Sequence, residues 1–210
     1  MIIFLISFLF TYPRKFILLD EALSINGPSG GIITPSRIPL EKGKVACGIH
    51  NYMIKFAYSP VYELEFGFSF DSKDVARFDR DTLKRFNPFL KYRVLKENQF
   101  PFSLSLTWIA GMRNFYIGFG KYFYFLKGVD ITVSGKFYKE ENYKMDLVPT
   151  VKFVIPYGMF LIDLNDGFNF GFRIFTSRFT SNLKFDLFIK DIKKGFEIFD
   201  SIFVGFTWNE

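Results

Sequence analysis

The chain has 210 residues, enough for one domain, with 49% hydrophobic residues, 23% charged residues and a net charge of +6. That charge density excludes both a bundle of membrane helices and a disordered chain. The 31 Phe, 11 Tyr and 2 Trp bring aromatic residues to 21%, more rings than a soluble core of this size readily hides.

Residues 2–11, IIFLISFLFT, match the apolar core of an export signal in length and are too short for a spanning helix. No basic stretch precedes them and no small-residue cleavage site follows. Residues 1–24 therefore read as an atypical signal or leader, the alternative being a different true start. Residues 25–44, INGPSGGIITPSRIPLEKGK, are rich in Gly and Pro and read as an ordered leader or loop against the rest.

From residue 45 the period changes to two, the signature of strands. The clearest alternation begins at Val61, where Tyr62, Leu64, Phe66, Phe68 and Phe70 alternate with Glu63, Glu65, Gly67 and Ser69. The stretch 71–86 is charged and reads as a long exposed loop. Over 87–95, Leu90, Tyr92 and Val94 oppose Lys91 and Arg93. Over 101–112, Leu104, Leu106 and Trp108 oppose Ser103, Ser105 and Thr107. Over 115–126, Phe115, Ile117 and Phe119 oppose Tyr116, Gly118 and Gly120. Over 130–138, Ile131, Val133 and Phe137 oppose Thr132, Ser134 and Lys136. Residues 145–155 and 157–164 read as a pair of strands around Pro156, Tyr157 and Gly158. Asn165-Asp166-Gly167 is a strong hairpin signal. Beyond it Phe170, Phe172 and Ile174 oppose Gly171 and Arg173, and Phe185 and Leu187 oppose Lys184 and Asp186. Val204, Phe206 and Trp208 mark a last strand. Residues 191–200 stay open as strand or helical turn.

These segments predict an all-β fold: one antiparallel up-and-down transmembrane β-barrel of about 10–12 strands over residues 45–210. The polarity of the faces sets inside from outside. A soluble barrel turns its apolar face inward, whereas an outer-membrane barrel does the reverse. Rows of Phe, Leu and Trp would overfill a small lumen, and the opposite face carries Gly, Ser, Thr and isolated charges, which suit one. Phe206 and Trp208 at alternate positions near the terminus resemble the signal that such barrels present to their insertion machinery.

The candidate lumen network is Glu63, Glu65, Lys91, Arg93, Lys136, Asp146, Lys152, Arg173, Lys184 and Asp186. Glu63 and Glu65 would stand roughly 7 Å apart on one strand face, a spacing also used by glycosidases. A salt-bridge network is the better reading, since it satisfies charges that lipid would not tolerate. His50 and Cys47, three apart on a strand, face opposite ways and cannot share a metal. His50 reads as a hydrogen-bonded structural residue. No phosphate loop or nucleophile elbow is present. No cofactor or metal site, no catalytic set and no nucleic-acid partner are expected.

Two stretches carry a resemblance. GPSGGIITPSRIPLEKGKVACGIHNY (27–52) resembles the N-terminal motif of the YjbH-like outer-membrane barrel proteins, with Gly27, Pro28, Gly30, Ile32, Ile33, Pro35, Ser36 and Gly43 in matching roles. FNPFLKYRVLKENQFPFSLSLTWIAG (86–111) is similar to a strand pair of the same family through Lys91, Tyr92, Arg93, Leu95, Glu97 and Pro101. Members are often longer, with more than one barrel unit. The family is associated with exopolysaccharide production, so the resemblance implies a polysaccharide or export component as partner. The expectation is a non-enzymatic outer-membrane protein of a Gram-negative-type envelope, assisting exopolysaccharide export or envelope integrity, with its N-terminal segment at the periplasmic mouth. The alternatives are a narrow pore, a structural outer-membrane anchor, a soluble ligand-binding barrel and a membrane-embedded hydrolase.

Overall fold

The computed structural model describes residues 22–72, 85–123, 128–155, 158–175, 182–191 and 201–210. The leader over residues 1–21, most of the charged loop after residue 71 and the stretch 192–200 lie outside the described residues. Twelve strands follow in order: β1 (Val45–His50), β2 (Met53–Val61), β3 (Leu64–Asp71), β4 (Phe86–Leu95), β5 (Ser103–Ile109), β6 (Asn114–Phe123), β7 (Val129–Lys139), β8 (Tyr143–Ile155), β9 (Gly158–Asp163), β10 (Asn169–Phe175), β11 (Leu183–Ile189) and β12 (Ile202–Asn209). Each pairs antiparallel with its chain neighbours, and β1 pairs with β12, so the sheet closes as one up-and-down barrel. The seam is sealed at its end by reciprocal hydrogen bonds between Val45 and Glu210, both 2.9 Å. Closure gives each of the twelve strands a paired neighbour on both sides over at least part of its length.

The period of two sorts the side chains into an inner and an outer set. On β5, Ser103, Ser105, Thr107 and Ile109 are buried, while Leu104, Leu106 and Trp108 point away from them. On β11, Lys184, Asp186 and Phe188 are buried, while Phe185 and Leu187 are exposed. Outward rings contact across strands: Phe56 and Phe68 lie 5.8 Å apart, Phe68 and Phe86 5.1 Å, and Phe160 and Phe172 5.0 Å. The molecule is thus inverted relative to a soluble domain. Among the described residues, Lys55, Glu65, Lys91, Lys152, Arg173 and Asp186 are buried, while many large apolar side chains are exposed, among them Trp108, Phe172, Leu187 and Val204.

In an up-and-down barrel the turns alternate between ends. The chain's entry into β1, the exit from β12 and the β2–β3 and β4–β5 turns share one end. The β1–β2, β5–β6, β7–β8 and β9–β10 turns lie at the other. There the Asn165-Asp166-Gly167 signal falls in the five-residue connection 164–168 between β9 and β10, with Asp166 (φ 56) and Gly167 (φ 133) both at positive φ.

Two details differ from the expectation. The alternation through Val61–Leu64 is interrupted by a hairpin, so Glu63 is a turn residue with φ 71 rather than a strand residue. Asp146 keeps the inward phase on β8 but is exposed. The β8–β9 ladder begins only at Thr150, so among the described residues no strand flanks β8 at Asp146 on that side.

Candidate functional site: the occupied lumen

A barrel of eight strands can be filled by its own side chains, and one of twelve needs more. Here the filling is residues 22–40, which run through the lumen rather than resting at its mouth. Ala22, Leu23, Ile32, Thr34 and Arg37 are completely buried. The segment expected at the periplasmic mouth lies inside the barrel instead. Its regular structure is slight, two isolated bridges pairing Leu23 with Ser29 and Gly30 with Pro35. Gly27 (φ +116) turns the chain in the left-handed region. Gly30 is required by closeness, because a Cβ there would lie 2.5 Å from the Thr34 carbonyl oxygen and 2.6 Å from Ser36 N.

A strap without a ladder leaves its backbone groups in want of partners. The wall supplies them with charged side chains. Glu65 on β3 accepts the N–H groups of Ser29 (2.8 Å) and Leu40 (2.9 Å) and the Ser29 hydroxyl (2.5 Å). Asp163 on β9 accepts those of Ile33 (2.9 Å) and Thr34 (2.8 Å) and the Thr34 hydroxyl (2.8 Å). Lys91 on β4 donates to the carbonyls of Ser29 (2.9 Å) and Ile38 (2.6 Å). The Ser69 hydroxyl donates to the Asn26 carbonyl at 2.9 Å.

The densest group joins four strands. Arg173 on β10 donates from Nε to Asp186 on β11 at 2.7 Å, and Asp186 also meets His50 Nε2 on β1 at 2.6 Å. His50 Nδ1 meets Lys55 Nζ on β2 at 2.8 Å. A carboxylate paired with Arg173 only accepts, so Nε2–H donates to Asp186 and Nδ1 of the neutral ring accepts from Lys55. Lys55 then reaches the Ser24 carbonyl at 2.6 Å, and Arg173 reaches the Gly30 carbonyl at 3.0 Å. His50 is thus a relay within the wall, and Cys47 lies on the opposite, outer face of β1.

Residues 22–40 hold one charged side chain, Arg37. It is fully buried and pairs with Asp130 on β7 at 2.9 Å and with Glu97 in the β4–β5 turn. Burial pushes the Glu97 carboxyl up, although Arg37 opposes the shift. Apolar seats complete the cradle. Ile25, Ile32 and Ile33 cluster with Met159, Leu161 and Phe188, and Leu23 and Leu40 cluster with Phe89, Ile109 and Tyr116.

The ten lumen candidates therefore divide by role. Glu65, Lys91 and Arg173 grip the strap, and Asp186 orients Arg173 and His50. Lys152 stands 3.6 Å from Asp130, supporting the Arg37 seat. Lys136 bonds Asp166 (2.6 Å) and Asn165 (3.1 Å) at the far end, and Lys184 is buried on the inner face of β11. Glu63 takes Arg93 and, at 2.6 Å, Lys96 at the mouth. Burial works to raise its carboxyl, and these two cations outweigh burial, holding it below its ordinary value. Asp146 is outside the lumen. Glu63 and Glu65 do not converge on a shared space, since one clamps rim cations while the other is sealed under Ser29 and Leu40. Sequence reasoning passed over Lys55, Asp130, Asp163 and Glu97 as lumen residues. Asp130 was within reach, since it shares the parity of Thr132, Ser134 and Lys136.

Beside the strap's exit, a cleft of about 520 Å³ opens between Ile38–Lys42 and Tyr62, Arg93, Lys96 and Asn98. Among the described residues, no group of His, Cys, Asp and Glu is arranged to hold a metal ion. The fold and its filling define a class: a closed twelve-stranded up-and-down barrel occluded by its own N-terminal segment. Comparison with protein families, characterised proteins and solved structures finds no match.

Proposed function

We propose that this protein is an outer-membrane barrel held shut by its N-terminal segment, with a non-enzymatic role in the cell envelope. The observation that carries this reading is the inverted polarity. Arg173, Lys91, Lys55 and Asp186 are buried while Phe172, Leu187 and Trp108 face outward, an arrangement that water penalises and lipid favours. Its partners on this reading are outer-membrane lipid and the barrel insertion machinery. The strap favours a closed barrel or structural anchor over an open pore, because it occupies the space through which solute would pass.

A part in exopolysaccharide export rests on the resemblance of residues 27–52 and 86–111. Their contacts lend it support, since the two stretches meet in space. Lys91 holds Ser29 and Ile38, and Glu97 holds Arg37. The test is fractionation with conductance. The protein should partition with outer membranes, require detergent, shift its gel mobility on boiling, and stay silent in planar bilayers. Recovery as a detergent-free monomer would refute the membrane reading, and steady conductance of the intact chain would refute closure.

A further inference from the structure

We propose that the lumen is a binding tunnel for a folded-back peptide, and that residues 22–40 are its resident, displaceable ligand. The proposal deepens the closed-barrel reading and rests on it. Three observations carry it. First, the hydrogen-bonded ladder closes from β1 to β12 without a single strap residue in it, so the wall is complete by itself. Second, Glu65, Asp163, Lys91, Lys55, Arg173 and Ser69 all bind main-chain N–H or C=O groups of the strap. Main-chain groups are common to every peptide, so the wall reads the course of the chain more than its side chains. Third, the strap joins the barrel through the turn at Glu41–Lys44, where Lys42 and Gly43 are exposed and Gly43 has φ +80.

The ligand class follows from the seats. It is a short peptide, apolar at the positions of Leu23, Ile25, Ile32, Ile33 and Leu40. It carries one cation for the pair Glu97 and Asp130, and small residues where Gly27 and Gly30 let the chain double back. When such a peptide leaves, the wall charges face water in a wide lumen, which tolerates them far better than lipid would. The emptied barrel is then an aqueous passage, and the N-terminal segment is its gate.

The test keeps the full chain. A protease recognition sequence is inserted between Lys42 and Gly43, the protein is folded, and the turn is then cut. The cut amino-terminal piece should stay bound at micromolar protein and exchange one-for-one with a labelled synthetic peptide of residues 22–42. Planar bilayers should be silent while the tunnel is occupied, conduct once the piece is diluted away, and fall silent when the peptide is restored. A peptide of the same composition in shuffled order should neither bind nor block. The double variant Glu65→Gln, Asp163→Asn should weaken labelled-peptide binding tenfold or more, since it loses charge-assisted hydrogen bonds. The proposal is overturned by a piece that never exchanges under native conditions, by a barrel that unfolds when the piece leaves, by exchange without conductance, or by equal binding of the shuffled peptide. Exchange is read by fluorescence anisotropy and needs no bilayer. A protein that proves soluble without detergent would refute the membrane reading while leaving peptide binding to be judged separately.

Discussion

Arg37 and Asp130 stand 93 residues apart in the chain and meet at 2.9 Å inside the barrel, the first carried by the strap and the second by the wall. Replacing Arg37 with Met keeps much of the volume, removes the cation that Glu97 and Asp130 share, and leaves Asp130 with Lys152 at 3.6 Å. Stranding a buried charge costs about 3–5 kcal/mol, less where water enters. Urea unfolding in vesicles should show a loss of that order, and Lys152 beside Asp130 should keep it toward the lower end. No loss would mean that Arg37 is not seated as described.

Asp163 makes a second anchor through three strap donors. Asp163→Ala leaves the N–H groups of Ile33 and Thr34 buried without acceptors, at about 1–3 kcal/mol for each unsatisfied group. Amide exchange at Ile33 and Thr34 should accelerate sharply while the strand amides of β4 and β5 stay protected. Uniform acceleration would argue that strap and wall open together.

Gly30→Ala brings a methyl group against the backbone of Thr34 and Ser36, neither of which yields easily. The turn must shift, and the Gly30 carbonyl leaves Arg173. The variant should fold into the same barrel, by circular dichroism, and leak small ions in vesicle assays. A tight, unaltered barrel would contradict the close approach.

Acidification tests the mouth. The Glu63 carboxyl is held below its ordinary value of 4.5 by Arg93 and Lys96. A depressed acid contributes stability that is fully present above its unfolded value and is lost as pH falls through its folded value. Glu63→Gln should therefore be less stable than the parent at pH 7, and the gap should narrow as pH drops below about 4.5. A gap equal at pH 7 and pH 3 would remove Glu63 from the account.

Much of the wall was legible in the sequence because a strand's period of two is written directly into residues such as Leu104–Trp108 and Phe168–Ile174. The strap was harder. Its Gly and Pro residues signal turns, but a turn-rich segment in a loop and one in a lumen have the same composition. What separates them is the wall: Glu65, Lys91 and Arg173 pointed inward by parity, and their partners turned out to be main-chain atoms, which every sequence has. Asp163 was hidden for another reason: it shares its strand face with Met159 and Leu161, and an apolar row gives no sign of a lumen carboxylate. Asp146 misled because parity fixes the side of a strand and not whether the neighbouring strand reaches that height.

Facing can be probed on one strand. Leu106 on β5 points outward, and Thr107 beside it is buried against the lumen. Leu106→Arg should cost about 2–4 kcal/mol of folding into bilayers if it lies near mid-depth. Thr107→Arg overfills an occupied lumen, at about 1–3 kcal/mol. Cutting and releasing the strap should relieve the second penalty and leave the first. Relief of the Leu106→Arg penalty instead would reverse inside and outside.

The chain's two tryptophans, Trp108 on β5 and Trp208 on β12, both lie on the outer face and near opposite ends of the barrel. In a membrane they fall in the two interfacial belts where Trp is favoured. Tryptophan fluorescence of the intact protein in vesicles of bromine-labelled lipid tests the central claim most directly. Both residues should be quenched, more strongly by bromines near the headgroups than by bromines at the bilayer centre, and poorly by iodide in the water. Emission untouched by any labelled lipid and freely quenched by iodide would place the outer face in water and contradict the account.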